Sequence, residues 1–241
     1  MNDQTQRLDK FLANNGIASR RGIKQFLKHE NVTVNGVRTR ESGTRVDISI
    51  DDVRINGKKI KETTFVYYIL NKPIGIISTS SDEFDRENVT DLIKTNVRVY
   101  PVGRLDKDTH GLILLTNDGE LTHKLTHPKF HVPKKYLLTI LGSVSDGKLG
   151  KLRNGIILSD GITAPAKAGI IKQGNKQTIV EMEIYEGRYR QIRRMCQAIF
   201  LDLIDLKRIQ FGPIRIGGLK EGQYRLLNGT EIAALKNAVL T

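Results

Sequence analysis

The chain has 241 residues, 39% of them hydrophobic, enough for one large domain or for a small one and a medium one. It holds no run of about 18 apolar residues, which argues against a membrane span, and it is polar from Met1 with no apolar signal core, so a cytoplasmic protein is expected. A net charge of +13 favours a polyanion partner through counterion release, although a basic surface also serves solubility alone, and the single Cys196 excludes an intramolecular disulfide. The charge is spread: residues 1–63 carry 13 Lys+Arg against 8 Asp+Glu and the remainder 26 against 18, so a polyanion can touch both parts.

Residues 7–28 read as two short helices. Leu8, Phe11 and Leu12 lie at i, i+3 and i+4, Gly16 breaks the pattern, and Ser19 is placed to cap a second helix whose apolar side is Ile23, Phe26 and Leu27. The opposite side of that helix offers Arg20, Arg21, Lys24 and Lys28, either a phosphate-binding surface or a solvated helix face. Short alternating strands with tight turns follow at Val32–Gly36, Val46–Ile50 and Val53–Gly57. The order from Arg7-Leu-Asp-Lys-Phe-Leu12 through Ala18-Ser-Arg-Arg21 to Val34-Asn-Gly36 resembles an S4 RNA-binding domain over about residues 7–60. That resemblance implies that the two helices and the first turn contact structured RNA.

Lys58–Thr64 is polar and reads as a linker. Phe65–Leu70 reads as a strand closed by Asn71-Lys-Pro-Ile-Gly75, and the polar, acidic residues 80–88 as a mobile loop. The stretch Arg98–Gly111 then leads into Leu112-Ile-Leu-Leu115, a short apolar run with glycines outside both ends that reads as a buried strand. A loop feeding such a strand is held firmly at its base. It carries two carboxylates, Asp106 and Asp108, among Arg104, Lys107 and His110. Buried apolar neighbours raise a carboxylate's pKa and a nearby cation favours its ionised form, the state needed by a nucleophile or general base. On spacing alone a polar turn with solvated charges remains open. The segment Pro101-Val-Gly-Arg-Leu-Asp-Lys-Asp-Thr-His-Gly-Leu-Ile-Leu-Leu-Thr-Asn-Asp-Gly119 resembles the signature of the pseudouridine synthases, in particular the branch that modifies ribosomal RNA and carries an N-terminal S4 domain. Leu70-Asn-Lys-Pro-Ile-Gly75 resembles the opening of their catalytic domain. The resemblance implies that Asp106 is the catalytic residue and that Arg104 contacts the flipped nucleotide or fills the gap it leaves; a structural salt bridge is the alternative for Arg104.

Glu120–Leu125 suggests a short helix ended near Pro128. His123, His127 and His131 are spaced by four, but Pro128 breaks any helix between the last two and no Cys or carboxylate completes a set, so no metal is expected. Lys134–Leu141 is the next strand, with Tyr136, Leu138 and Ile140 on one face. Tyr136 is either a core aromatic or a stacking platform for a base; Lys134-Lys-Tyr136 resembles the family's second motif, whose tyrosine packs on the target uridine. Residues 146–170 contain a helix-like stretch followed by Gly turns. Thr178–Glu186 alternates with Val180, Met182 and Ile184 inward, and Gly187 turns the chain into a helix with Ile192, Met195, Cys196 and Ile199 on its apolar face. Arg190, Arg193 and Arg194 on its other side are solvated, bind phosphate, or pair with Asp106. Glu186-Gly-Arg-Tyr-Arg-Gln-Ile-Arg-Arg-Met195 resembles the third motif, which implies Arg193 as the basic partner of Asp106 and Ile192 as the aliphatic wall of the pocket. Phe200 departs from the glycine found there in relatives and is ill suited to a left-handed cap. Lys207–Leu226 resembles the family's C-terminal part, and Thr230–Leu240 reads as a closing helix capped by Thr230.

The expected fold is α+β: a small S4 domain of two helices and a small sheet in residues 1–63, then a pseudouridine synthase domain in residues 64–241 with a mixed, mostly antiparallel sheet. The expected function is isomerisation of one uridine in ribosomal RNA, large-subunit over small-subunit, without cofactor or metal, by a monomer acting on ribosomal RNA or a pre-ribosomal particle. The competing reading is a non-catalytic RNA-binding ribosome-assembly factor on the same fold, which loss of the Asp, Tyr or Arg would favour; all three positions are occupied.

Overall fold

In the computed structural model, residues 5–47, 49–60, 64–80, 84 and 86–240 are described. The chain divides into two compact units: the residues up to Val66 with Thr95–Val99 and Thr116–Gly119, and the rest. In the smaller unit, helices Leu8–Asn14 and Arg20–His29 bury Leu8, Phe11, Leu12, Ile23 and Leu27 together with Val32, Val46 and Val53 of the strands. The Ser19 hydroxyl accepts from the Gly22 amide at 3.1 Å and so caps the second helix. Strands Val32–Val34, Val37–Arg38, Val53–Ile55 and Lys58–Lys59 form an antiparallel four-stranded sheet. Its two hairpins turn at Asn35-Gly36 and Asn56-Gly57, both residues of each pair having positive φ, the geometry that suits the right-handed twist of paired strands. Lys58 and Lys59 are therefore strand rather than linker, because the Asn56-Gly57 turn returns the chain onto Val53–Ile55. Residues 61–63 of the expected linker, and 81–83 and 85 of the expected mobile loop, lie outside the described residues.

The larger unit is built on a nine-stranded sheet. Its main order is Lys167–Gln173, Gln177–Ile184, Lys134–Leu141, Leu203–Phe211, His110–Thr116, Tyr67–Lys72 and Tyr224–Leu226, with Tyr100–Val102 and Ile214–Arg215 at its side. The junction of Leu203–Phe211 with His110–Thr116 is parallel; those of Lys134–Leu141 with both of its neighbours are antiparallel. Leu112, Ile113, Leu114 and Leu115 are all buried, so the central strand is covered on both faces. At about 1.5–3 kcal/mol for each buried aliphatic side chain, this strand anchors whatever loop precedes it. Leu112 and Leu114 join Tyr67, Ile69, Leu121, Leu125, Phe211 and Leu235 in one core.

Three elements depart from expectation. The first strand begins at Tyr67, and Phe65 before it is 40% exposed. The C-terminal helix, Gly229–Asn237, is capped by Asn228 and not Thr230: Asn228 Oδ1 accepts from the Glu231 amide and Glu231 Oε2 accepts from the Asn228 amide. That reciprocal pair needs an acidic residue three positions after the cap, which Thr230 lacks because Ala233 stands there. Phe200 does adopt the left-handed conformation, φ 55°, with its ring 89% exposed, so the strain is confined to the backbone and its carbonyl accepts from Lys148 Nζ at 2.8 Å.

One glycine fixes the parallel junction. Gly111 has φ +102° and pairs with Arg208, and a Cβ built on it would collide with the Arg208 carbonyl oxygen. Neither strand can retreat without unpairing. Gly111→Ala is expected to cost about 3 kcal/mol or more, read as a fall in the urea midpoint at unchanged slope.

Candidate active site

Residues 103–109 connect the Tyr100–Val102 and His110–Thr116 strands and carry Arg104, Asp106 and Asp108. Backbone anchors fix this loop. Ser78 Oγ accepts from the Leu105 amide at 3.1 Å and donates to the Leu105 carbonyl at 2.8 Å, the Thr109 amide donates to the Asp106 carbonyl, and the Gly75 amide donates to the Lys107 carbonyl at 2.8 Å. Leu105 and Thr109 are buried on either side of Asp106, so the aspartate is held between two fixed points.

The loop forms one wall of a cavity of about 470 Å³, and Arg104, Asp106, Tyr136, Ile192 and Arg193 all line it. Tyr136 comes from the Lys134–Leu141 strand, where it lies opposite Met182 on one side and Arg208 on the other and is 8% exposed. Ile192 and Arg193 come from the helix Gln191–Ala198. The turn into that helix is set by Gln191, whose amide bridges the Arg188 amide nitrogen and Glu186 Oε1. Arg190 precedes the helix at its cap position with φ 46°, in the left-handed region.

The arginines are not placed as expected. Arg193 contacts Asp108, not Asp106: its Nε lies 3.3 Å from Asp108 Oδ2 and its Nη2 donates to the Asp108 carbonyl at 2.7 Å. Arg190 grips the same carboxylate with both Nη atoms at 3.1 and 2.8 Å. Arg194, expected with Arg190 to face RNA, is bidentate on Asp160 at 2.8 and 3.0 Å. The reason is geometric: a planar guanidinium fork takes a carboxylate that offers both oxygens, and Asp108 and Asp160 do so. Asp106, by contrast, makes no ion pair or side-chain hydrogen bond among the described residues. Arg104 is exposed and likewise unpaired among them, which leaves it without the structural salt bridge considered from sequence. In the smaller unit Arg20, Arg21, Lys24 and Lys28 are exposed on the outer side of their helix, with Arg20 Nη2 3.9 Å from Asp9 Oδ2.

Hydrogen bonds from Arg190, against some desolvation, hold Asp108 below the usual carboxylate range, and the charges of Arg193 and Arg190 add to this. Lys72 carries no role in the sequence reading. It is fully buried, donates to the Pro73 and Ile76 carbonyls at 2.9 and 2.7 Å, and burial pushes its ammonium down to about 8 against the pull of Asp108 and Asp106. Strand alternation gives no hint of it, since it follows Leu70 and Asn71, also buried. The His123 and His127 rings lie 5.2 Å apart, tilted by 45°, while His131 lies beyond a 3-10 turn in a left-handed conformation, and among the described residues no three metal-ligating side chains gather.

A fixed loop carboxylate in no ion pair among the described residues, a buried tyrosine and an exposed arginine line one cavity, the arrangement of a candidate enzyme site. Comparison with known proteins gives that class a family. The RNA pseudouridylate synthase family model matches residues 66–198 and the S4 domain model residues 6–49. The ribosomal large subunit pseudouridine synthase B of Bacillus subtilis is 43% identical over 96% of each chain. The dual-specificity RNA pseudouridine synthase RluF of Salmonella typhi is 32% identical over 98% of this chain and 80% of its own. A crystal structure of a pseudouridylate synthase superposes with a TM-score of 0.69 and 31% identity over 95% of this chain and 99% of its own. The chain belongs to the RNA pseudouridylate synthase family, with an N-terminal S4 domain.

The Asp108 clamp has a measurable signature. Its carboxyl sits below its ordinary value near 3.8 in the native state, so its contribution is present above about pH 4 and is lost as pH falls through the lower native value. Its side chain is 44% exposed, which limits the contribution to about 1 kcal/mol. Urea unfolding of Asp108→Asn is therefore expected to show a deficit of about that size at pH 7 that shrinks as the pH falls below the ordinary carboxylate value and disappears below the lowered native one.

Proposed function

We propose that this enzyme converts one uridine of large-subunit ribosomal RNA to pseudouridine, with Asp106 as the reacting carboxylate. The N1–C1′ bond breaks, the base rotates within the site, C5 joins C1′, and the C5 proton is released while N1 gains one. Atoms balance without a redox partner. The observation that carries the reading is Asp106, fixed in its loop, in no ion pair or side-chain hydrogen bond among the described residues, and lining the same cavity as Tyr136 and Ile192. A uracil ring between the tyrosine ring and the isoleucine would present its sugar carbon to that carboxylate.

Such a ring must leave its helical stack, because a loop carboxylate at the base of a cavity cannot reach a paired base. Arg104, exposed and unpaired at the rim, is suited to fill the vacated stack or to hold the flipped nucleotide. Tyr136 offers a face for stacking, worth about 1–3 kcal/mol per base. Arg193 and Arg190, both held by Asp108, place positive charge at the cavity wall. Residues 64–241 would thus carry the chemistry and residues 1–63 would add affinity, with Arg20, Arg21, Lys24 and Lys28 on RNA phosphates. The chain's similarity to the ribosomal large subunit pseudouridine synthase B of Bacillus subtilis supports the large subunit as the source of the RNA.

Release of tritium from RNA carrying [5-³H]uridine tests the assignment, because C5 loses its hydrogen only when the new bond forms. Wild-type protein is expected to release label from transcribed large-subunit RNA, and Asp106→Asn, nearly isosteric, to fall about 10³-fold or more while still binding the RNA. Release by the mutant near the wild-type rate would refute the role of Asp106.

A further inference from the structure

A second cavity of about 140 Å³ adjoins the first, sharing Arg104, Thr126 and Tyr136 with it, and its remaining wall includes Lys134, Arg208 and Phe211. Arg208 is 3% exposed. Its Nε donates to the Leu112 carbonyl at 2.6 Å and its guanidinium lies over the Phe211 ring at 5.2 Å, but Nη2 is buried with no hydrogen-bond partner. Lys134 stands on the same face of the sheet, its ammonium 5.8 Å from the Phe211 ring centre, and makes no ion pair or hydrogen bond among the described residues. The one carboxylate on this wall, Glu186, is already occupied: Oε1 accepts from Gln191 and from the Ala164 amide, and Oε2 accepts from Arg188.

A buried guanidinium and a partly buried ammonium lining one cavity are costly unless an anion joins them. Burial and the Arg208 charge together push the Lys134 ammonium down to about 8, with Glu186 pulling the other way. A buried, unsatisfied nitrogen on a guanidinium that lines a cavity calls for a partner that arrives from outside. A neutral uracil oxygen would satisfy one hydrogen bond and leave both charges uncompensated. A phosphate group offers several oxygens and a full negative charge, and a guanidinium with an ammonium matches it in both respects.

Resting on the reading that the larger cavity receives the target uridine, we propose that this smaller cavity is a phosphate subsite. Arg208, Lys134 and Arg104 there hold a backbone phosphate of the RNA strand next to the flipped nucleotide. The subsite would fix where the sugar stops relative to Asp106.

Two measurements on the full chain test it. With ¹³Cε-labelled lysine, the Lys134 resonance, identified by its loss in Lys134→Met, is expected to titrate with a midpoint near 8. Inorganic phosphate is expected to raise that midpoint by about one unit, and uridine at the same concentration to leave it in place. A midpoint that phosphate does not move overturns the proposal, whether or not uridine moves it. In the second, Lys134→Met is expected to weaken binding of large-subunit RNA and to lower the slope of log K against log salt by about 0.7–1. An unchanged slope would mean that no RNA phosphate reaches Lys134. Neither readout requires isomerisation, so failure here leaves the assignment of Asp106 standing, and failure of that assignment leaves the subsite testable.

Discussion

The close approach of Gly111 to the Arg208 backbone is the constraint on which the catalytic unit depends. It sits at the parallel junction of a sheet whose neighbouring junctions, on either side of Lys134–Leu141, are antiparallel. A side chain on Gly111 would collide with the Arg208 carbonyl and nitrogen, so the two strands meet there closer than any residue with a Cβ permits. From that point the chain runs back through His110 into the loop of Asp106 and Asp108, and forward into four consecutive buried residues. Across the junction the Arg208 side chain turns to donate to Leu112 and faces the smaller cavity. One contact therefore positions the loop carboxylate and a buried guanidinium together.

Around that frame the charges are sorted by pairing. Asp108 takes Arg190 and Arg193, Asp160 takes Arg194 and approaches Arg188, and Glu186 takes Arg188 and Gln191. These pairs occupy most of the cations that the third motif brings to the cavity. What they leave unpaired among the described residues is Asp106 on one side and Arg104, Lys134 and the Arg208 Nη2 on the other. In the proposed reaction the unpaired groups meet the RNA, and the paired ones hold the walls. This division explains why a site so rich in arginine presents a carboxylate that no arginine grips.

Much of the architecture was legible because it rests on local signals. The apolar faces of the first two helices, the Ser19 cap, the inward alternation of Tyr136, Leu138 and Ile140, and that of Val180, Met182 and Ile184 all follow from periodicity and burial. The Asn-Gly pairs announce the small hairpins, and one of them makes strand of what composition suggested was linker. Long-range partners were not legible. Asp108 and Arg190 are 82 positions apart, and nothing in either neighbourhood says that Arg193 would choose Asp108 over Asp106 two residues earlier. Lys72 and Arg208 escaped for another reason: each occupies a buried position where pattern predicts an apolar residue, and only the fold supplies the carbonyls they meet.

The most direct test of the account is pseudouridine mapping of ribosomal RNA from cells that lack this protein, complemented with wild type or with Asp106→Asn. The account predicts that one uridine of the large-subunit RNA loses its modification, that wild type restores it, and that Asp106→Asn does not. Restoration by Asp106→Asn, or a full set of modifications in the absence of the protein, would contradict it.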